Sequence, residues 1–210
     1  MTVLYRRILG DVFDDLPPKL RALHGSAKPR RWSGQAEVRR GTGRVASVLG
    51  WIMRLPPPGD AVPVSVDFIP DNVGEVWMRD FGGKQFKSYQ FMRSNSPLGV
   101  AQERFGMINV TVAFHSNGDR RALVPVSWSM IGVPLPKALL PTGESFETQV
   151  DDRFVFDVEI TMPWIGRIAA YRGWLLPEGG APADHLKTGL GKRRIRSFRQ
   201  YPLGGGLMQA

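Results

Sequence analysis

The sequence predicts an α+β fold that is mainly β: a strongly curved antiparallel sheet or barrel of about nine strands, with two or three amphipathic helices near the N-terminus. Two observations support this. Apolar residues first recur at helical spacing and then, from residue 62, alternate with polar residues. Turn residues separate the alternating runs every ~8–12 positions, as in antiparallel all-β domains. A sheet of so many strands twists and tends to curl or close.

Three amphipathic segments predict the helices. Pro17 and Pro18 must interrupt the first apolar stripe, because proline is tolerated in a first helical turn and not in a helix interior. We therefore predict helices over 3–14 and 17–24. A third helix is predicted over 43–55 and ends at a run of prolines. Its apolar side chains share one stripe: Val45, Val48, Leu49, Ile52 and Met53.

The remaining pattern predicts strands joined by short turns. Residues 25–33 are interpreted as a basic loop, and the polar segment 35–40 as a short strand at an edge of the sheet. The alternating runs that follow are 64–68, 75–81, 85–92, 100–105, 108–115, 122–130, 146–150, 154–160 and 167–175. Residues 132–136, with two prolines, are not expected to form a regular strand interior, and one helical turn is expected near 137–140.

Composition fits one globular domain with a sizeable core. The chain has 210 residues, 42% hydrophobic and 22% charged, and no cysteine, which excludes a disulfide scaffold, a thiolate metal site and a cysteine nucleophile. The longest apolar run covers 45–53, far short of the about 20 residues that span a bilayer. No signal-peptide pattern precedes it, so we expect a cytoplasmic protein without a transmembrane segment.

The net charge of +9 lies at the two ends of the chain. Residues 1–54 carry +7, residues 55–177 carry −2 and residues 178–210 carry +4. We predict that residues 177–210 form a basic, disordered tail, because they lack apolar periodicity. Nucleic-acid binding is not expected, since an arginine-rich tail is more often simply solvated. Trp51, between Arg44 and Arg54, offers peripheral membrane contact through 43–55 as an alternative to a lid over the sheet.

The most informative stretch is 77–88, where two aromatic-rich runs meet at a Gly-Gly turn that suits a tight hairpin. Trp77, Arg79 and Phe81 share one face of the first strand. An arginine between aromatic rings can hold a carboxylate or phosphate. The alternative is an internal ion pair or a cation–π stack.

Other candidate sites are weaker. Arg104 and Arg172 stand beside polar or aromatic residues on predicted strands, and a ladder of charges across neighbouring strands explains them equally well. The three histidines are isolated in sequence, so no metal site is predicted. The G-x-G-x-x-A pattern at 41–46 follows a strand too polar for a dinucleotide-binding sheet, and it is interpreted as a turn before a helix.

Four blocks resemble a known family. They are Trp77-x-Arg79-x-Phe81-Gly82-Gly83-x-x-Phe86-x-Ser88, Gly132-Val133-Pro134-Leu135-Pro136, Phe154-x-Phe156-Asp157-Val158 and Tyr171-Arg172-Gly173-Trp174-Leu175. Together they resemble the bacterial domain of unknown function 4166 family over about residues 3–176. The resemblance implies a single domain over 1–176, found alone or on the C-terminal side of NAD-dependent or saccharopine dehydrogenase-like domains. It implies no established activity.

These observations leave three functions open. The leading hypothesis is a module that binds a small apolar or amphipathic ligand, lipid-like and acidic, in the cup of the curved sheet. Its candidate ligand-binding residues are Trp77, Arg79, Phe81, Ser88, Arg104 and Arg172. The second hypothesis is an accessory domain or enzyme that works with a dehydrogenase-like partner. The third is a structural interaction domain with a solid core. No catalytic residue and no cofactor is predicted.

Overall fold

The computed structural model describes residues 3–52 and 55–179. Its helices are α1 (Leu4–Leu9), α2 (Pro18–His24) and α3 (Arg44–Ile52), with 3-10 turns at Gly10–Phe13 and Lys137–Leu139. Pro18 occupies the first turn of α2, where its missing N–H costs nothing. The predicted helix at 17–24 and the predicted turn at 137–140 are therefore confirmed. The helix predicted over 3–14 is shorter, because α1 ends at Leu9 and Gly10, with a φ of 59°, begins a 3-10 turn. Nearly all of the predicted tail lies outside the described residues.

The described residues form eleven strands, nine of which overlap the nine predicted alternating runs. They are β1 (Arg30–Arg40), β2 (Gly59–Pro70), β3 (Gly74–Phe81), β4 (Lys84–Phe91), β5 (Val100–Phe105), β6 (Ile108–Asn117), β7 (Arg120–Met130), β8 (Val133–Pro134), β9 (Ser145–Val150), β10 (Arg153–Met162) and β11 (Gly166–Pro177). Strand β1 overlaps the segment 35–40, and β8 corresponds to no predicted run.

The strands close into an antiparallel barrel. Strands β1 to β7 are hydrogen-bonded in chain order, and β9, β10 and β11 continue the ring from β7 back to β1. These ten strands leave only the two-residue strand β8 outside the ring, paired to the end of β7. The prediction of a strongly curved antiparallel sheet or barrel is thus confirmed.

The prediction of an edge strand at 35–40 is wrong. Strand β1 begins five residues earlier, at Arg30, and pairs along its length with β2 on one side and β11 on the other. Its inward side chains, Trp32, Ala36 and Val38, are all buried. The residues that alternate with them, Ser33, Gln35 and Glu37, face outward, so the strand looks polar although it is paired on both sides.

The two ends of the barrel differ. At the helix end, where β1 begins and β2 ends, α1 and α2 pack onto the interior. Tyr5, Ile8, Leu20 and Leu23 from these helices join the same buried cluster as Trp32, Phe68, Phe114 and Phe154 from the strands. At the opposite end, which we call the mouth, lie α3 and the β3–β4, β5–β6, β7–β8 and β10–β11 turns.

Helix α3 packs on the barrel through a small side chain. Ala46 is buried against Ile168 and Ala169 of β11, whereas Val45 and Val48 are each more than half exposed (55% and 56%). The predicted apolar stripe therefore does not cover the sheet at these two positions. The side chains of Leu49, Trp51 and Ile52, and the whole of Met53, lie outside the described part of the chain.

Gly41 explains the glycine pattern before α3. A Cβ at Gly41 would lie 1.9 Å from the carbonyl oxygen of Arg167, and the Gly41 N–H donates to the carbonyl of Ile168. The glycine allows the chain to turn tightly against β11 as it leaves β1. The interpretation of this pattern as a turn before a helix is confirmed, since β1 belongs to an antiparallel barrel.

Close contact between β1 and β11 makes Gly173 sensitive to substitution. A Cβ there would lie 2.4 Å from the Gln35 carbonyl oxygen and 2.7 Å from the ring of Phe156. We expect Gly173→Ala to lower the free energy of unfolding by about 1–3 kcal/mol, the usual cost of overpacking. Urea denaturation measures this. Gly43→Ala is the matched control, because a Cβ at Gly43 meets nothing within 4 Å. Equal stability of the two variants would contradict the prediction.

Candidate functional site

A polar cluster lies inside the barrel on the mouth side. Its members, Arg79, Ser88 and Glu103, come from three neighbouring strands, β3, β4 and β5, and we call them the mouth cluster. Arg79 donates to Ser88 Oγ from Nη1 (2.7 Å) and to Glu103 Oε1 from Nη2 (3.1 Å). The Ser88 hydroxyl donates to the same Glu103 oxygen at 2.6 Å. The three side chains thus form a closed, charge-neutral set of hydrogen bonds.

Aromatic rings surround the mouth cluster. The Arg79 guanidinium lies over Trp77 at 4.8 Å and over Phe86 at 5.5 Å. Phe81 stacks on Phe86 with ring centroids 5.8 Å apart and meets Tyr171 edge-on at 5.4 Å. Desolvation raises the pKa of the Tyr171 phenol to about 12, although the nearby Arg79 cation opposes the shift. The cluster therefore lies in an apolar environment, where its hydrogen bonds are stronger than in water.

Solvent reaches the mouth cluster from one side. The side chains of Arg79 and Glu103 are 12% and 15% exposed, and the inward-facing Phe86, Val110 and Tyr171 are only partly buried. Inward-facing rings near the helix end, such as Phe68 at 1%, are fully buried. The mouth half of the interior is thus more accessible than the half that α1 and α2 cover.

The structure brings four of the six predicted ligand-binding residues together. Trp77, Arg79, Phe81 and Ser88 all point into the barrel. Arg104 and Arg172 do not join them, because each is one position out of phase with an inward neighbour on a strand of period two. On the outer wall, Arg104 lies over Tyr89 and Phe91, at 5.5 and 6.0 Å. Arg172 donates through Nε to Asp157 of β10 at 2.6 Å, the cross-strand charge pair of the alternative interpretation.

A second polar cluster lies beneath the helices at the other end. We call it the inner cluster, and its members are Tyr5, His24, Gln90, Arg121 and Glu147. Arg121 is completely buried and forms an ion pair with Glu147. His24 Nε2 lies 2.6 Å from Arg121 Nη2 and 2.9 Å from Glu147 Oε2, and Tyr5 donates its hydroxyl proton to Gln90. Helices α1 and α2 thus reach the barrel wall through polar as well as apolar contacts.

Aromatic rings stabilise the buried charge of Arg121, whose guanidinium is only partly hydrogen-bonded. Its Nε and Nη1 atoms have no hydrogen-bond partner among the described residues. The guanidinium instead lies over the rings of Tyr5 and Phe114, at 4.8 and 5.1 Å. Desolvation lowers the Arg121 pKa to about 10, which still leaves the group charged at neutral pH. The cation is thus held by one carboxylate and two ring faces.

His24 is neutral in this environment. Burial, with the Arg121 and Arg30 cations adding to it, holds the pKa of the imidazole well below its usual value. Because a neutral imidazole nitrogen either donates or accepts, Nε2 serves Glu147 or Arg121 but not both at once. A neutral histidine beside a carboxylate resembles a catalytic pair. Its complete burial separates it from any substrate, so we assign it no catalytic role.

Trp77 connects the two clusters. Its ring lies 4.8 Å from the Arg79 guanidinium and stacks on His24 at 5.8 Å. Its indole N–H donates to Glu75 at 2.7 Å, and Arg30 pairs with the same carboxylate at 2.8 Å. Burial raises the pKa of Glu75, and these partners oppose the shift.

No other site of this kind emerges from the described residues. They contain no group of three or more histidine and acidic side chains arranged to hold a metal ion. None of their helices is long and apolar enough to cross a membrane. A cleft of about 10 Å³ between α1 and the β2–β3 turn is large enough for one water molecule and no more.

Comparison with known proteins identifies the family. The sequence matches the family described as Domain of unknown function (DUF4166) over residues 16–175. The chain belongs to this family. No curated protein and no solved structure matches it.

Three of the four sequence blocks that indicated the DUF4166 family lie in the barrel wall, and the fourth lies beside the end of β7. The block at 77–88 forms the β3–β4 hairpin and supplies Arg79 and Ser88 to the mouth cluster. The blocks at 154–158 and 171–175 pair with each other in β10 and β11, and 132–136 forms the β7–β8 turn and β8. Glu103, Arg121 and Glu147 lie in the matched region but in none of these blocks. Sequence reasoning noted Glu103 only beside Arg104, as part of a ladder of charges, and missed Arg121 and Glu147, because each is a single charge on an ordinary alternating strand.

Proposed function

We propose that this domain binds a small apolar or amphipathic, lipid-like ligand in the mouth half of the barrel. The observation that carries the proposal is the mouth cluster: a hydrogen-bonded Arg79–Ser88–Glu103 set, partly exposed, among Trp77, Phe81, Phe86 and Tyr171. Ligand sites in proteins combine mostly apolar walls with a few convergent polar groups, and barrel mouths are among their preferred places.

The charge of the mouth cluster restricts the head group. Glu103 already neutralises Arg79, so an acidic head group has to compete with that carboxylate for the guanidinium. An uncharged head group, such as a hydroxyl, can join the set by hydrogen bonds without displacing either charge. We propose an acidic ligand, as the sequence suggested. Competition with Glu103 for Arg79 lowers the affinity of this ligand.

Titration with a fluorescent fatty acid, cis-parinaric acid, and with its uncharged alcohol tests the proposal. We expect Arg79→Met to weaken binding of the acid about ten-fold or more, since a charge-assisted hydrogen bond contributes roughly 1.5–3 kcal/mol. The alcohol should lose less. Glu103→Gln should tighten binding of the acid, because Arg79 is then free to pair with the ligand.

Arg104→Met is the matched control. Arg104 follows Glu103 on β5, but it lies on the outer wall of the barrel against two aromatic rings. It should leave both affinities unchanged. Equal weakening of acid and alcohol by Arg79→Met would make Arg79 a structural residue. Absence of binding of either probe would favour the solid-core alternative. A cytoplasmic location and a dehydrogenase-like partner remain predictions from the sequence and the family resemblance.

A further inference from the structure

The turns at the two ends of the barrel differ in chemistry. At the helix end, the β2–β3, β6–β7 and β9–β10 turns contain Asp71, Asp119 and the pair Asp151-Asp152. At the mouth, the β5–β6, β7–β8 and β10–β11 turns are Gly106-Met107, Ile131-Gly132 and 163–165, Pro-Trp-Ile, without a charge. Tight turns in water favour polar residues, as the helix end illustrates. These three mouth turns depart from that rule, whereas the fourth, between β3 and β4, is the glycine pair Gly82-Gly83.

The exposed apolar side chains concentrate at the mouth. Of the seventeen large hydrophobic side chains that are exposed in the described residues, nine lie on α3 or at the mouth turns and four at the helix end. The nine are Val45, Val48, Phe105, Met107, Met130, Ile131, Val133, Trp164 and Ile165. Trp164 and Ile131 are the most exposed, at 83% and 72%. Concentration on one end marks an interaction surface, whereas scattered exposure needs no explanation.

Two of these side chains occupy backbone positions that disfavour them. Ile131 and Trp164 have φ angles of 51° and 62°, in the left-handed region where glycine or asparagine is less strained. A β-branched residue there is a genuine outlier. These turns thus carry large apolar side chains that strain the backbone. Exposure of such side chains to water does not stabilise the protein either, so folding alone does not explain them.

The mouth turns form a continuous part of the rim. The β5–β6 and β7–β8 turns are joined by a hydrogen bond from the Ile131 N–H to the Met107 carbonyl at 2.9 Å. Strand β9 alone separates β7 from β10, and α3 contacts the next strands, β11 and β1. Apolar side chains therefore lie on three turns and one helix along this part of the rim, with the start of β9 between them.

We propose that the mouth of the barrel docks onto a lipid bilayer through these turns. Tryptophan prefers the membrane–water interface, and separate apolar side chains on several turns suit insertion between lipid head groups. Cations stand directly beside the apolar turns: Arg44 begins α3, Arg104 precedes Phe105, and Arg167 follows the β10–β11 turn. Arg167 pairs with Glu159 at 3.2 Å, while Arg104 is exposed. Such cations attract anionic lipid.

The docked orientation would place the opening of the proposed ligand site against the bilayer. An amphipathic ligand could then pass between the membrane and the barrel without crossing water. Docking does not depend on ligand binding, however, since it uses the turns and not the mouth cluster. The two proposals can therefore fail separately.

Co-sedimentation of the full chain with phosphatidylcholine vesicles containing one quarter phosphatidylglycerol tests the proposal. The double variant Trp164→Asn/Ile131→Asn removes both apolar tips, and asparagine tolerates the left-handed backbone, so the fold should not suffer. We expect at least a ten-fold weaker partition onto the vesicles, with a melting temperature that is not lowered. The control Val73→Asn removes an exposed apolar residue at the helix end, where Val73 is 55% exposed, and should bind like the unmodified chain.

Three outcomes would overturn the proposal. Absence of sedimentation at low salt would do so. Unchanged sedimentation of the double variant would place membrane binding elsewhere, for example in the basic residues beyond 179. If the unmodified chain sediments as a dimer in the analytical ultracentrifuge and the double variant as a monomer, the mouth is an interface between two copies of this chain.

Discussion

Replacing Arg121 by methionine is expected to lower the free energy of unfolding by about 3–5 kcal/mol, the usual cost of breaking a buried ion pair from one side. The substitution leaves the Glu147 carboxylate buried beside a neutral His24 with no cation to compensate it. It also removes the cation from the rings of Tyr5 and Phe114. Equilibrium urea denaturation, followed by tryptophan fluorescence, measures the change.

The double variant Arg121→Met/Glu147→Leu should recover most of this loss, because replacing both members of a buried pair by apolar groups is often neutral. The surface pair of Arg6 with Asp14, whose side chains are 48% and 57% exposed, provides the control. Arg6→Met should barely change stability, as expected of an exposed pair. If Arg121→Met were as mild as Arg6→Met, the inner cluster would not hold the helices on the barrel.

Stability is expected to fall as the pH drops below about 6.5, the usual pKa of histidine. The pKa of His24 in the native chain lies well below that value. At a pH between the two pKa values, His24 is therefore protonated in the unfolded chain and neutral in the native chain. The contribution of His24 to the free energy of unfolding is therefore fully present at a pH above the pKa of the unfolded chain. It is lost progressively as the pH falls toward the lower pKa of the native chain. In this range, each unit by which the pH falls lowers the free energy of unfolding by up to about 1.4 kcal/mol, because the unfolded chain binds one more proton.

The variant His24→Gln isolates this effect, because an amide retains a polar group in the inner cluster and does not titrate. Its stability should be nearly independent of pH between about 5 and 7, relative to the unmodified chain. Glu75 cannot produce the same slope: its raised pKa makes the native chain bind protons more readily, the opposite sign. His115→Gln, on the exposed end of β6, is the control and should keep the slope. A slope that survives in His24→Gln would assign it to other groups.

Local chemistry determined the elements of this fold and the faces of its strands. The Gly82-Gly83 pair adopts positive φ at both residues (59° and 87°) and forms the predicted hairpin turn. Alternation then puts Trp77, Arg79 and Phe81 on one face, because successive side chains of a strand point in opposite directions whatever the strand pairs with. Turn type and strand faces depend on residues that are neighbours in the sequence, so a single sequence is enough to predict them.

Only the tertiary structure decided which residues meet across the barrel. Strand β1 looked like an edge because its outward residues are polar or charged, yet closure of the ring gave it two partners. Glu103 became the partner of Arg79 through the register of β3, β4 and β5.

The inner cluster is the clearest case of this limit. Arg121 is separated from His24 by 97 residues and from Glu147 by 26. Periodicity tells which face of an element is buried, but not which distant side chain is buried against it. That is fixed by strand register and barrel closure, which depend on the sum of many weak contacts along the whole chain.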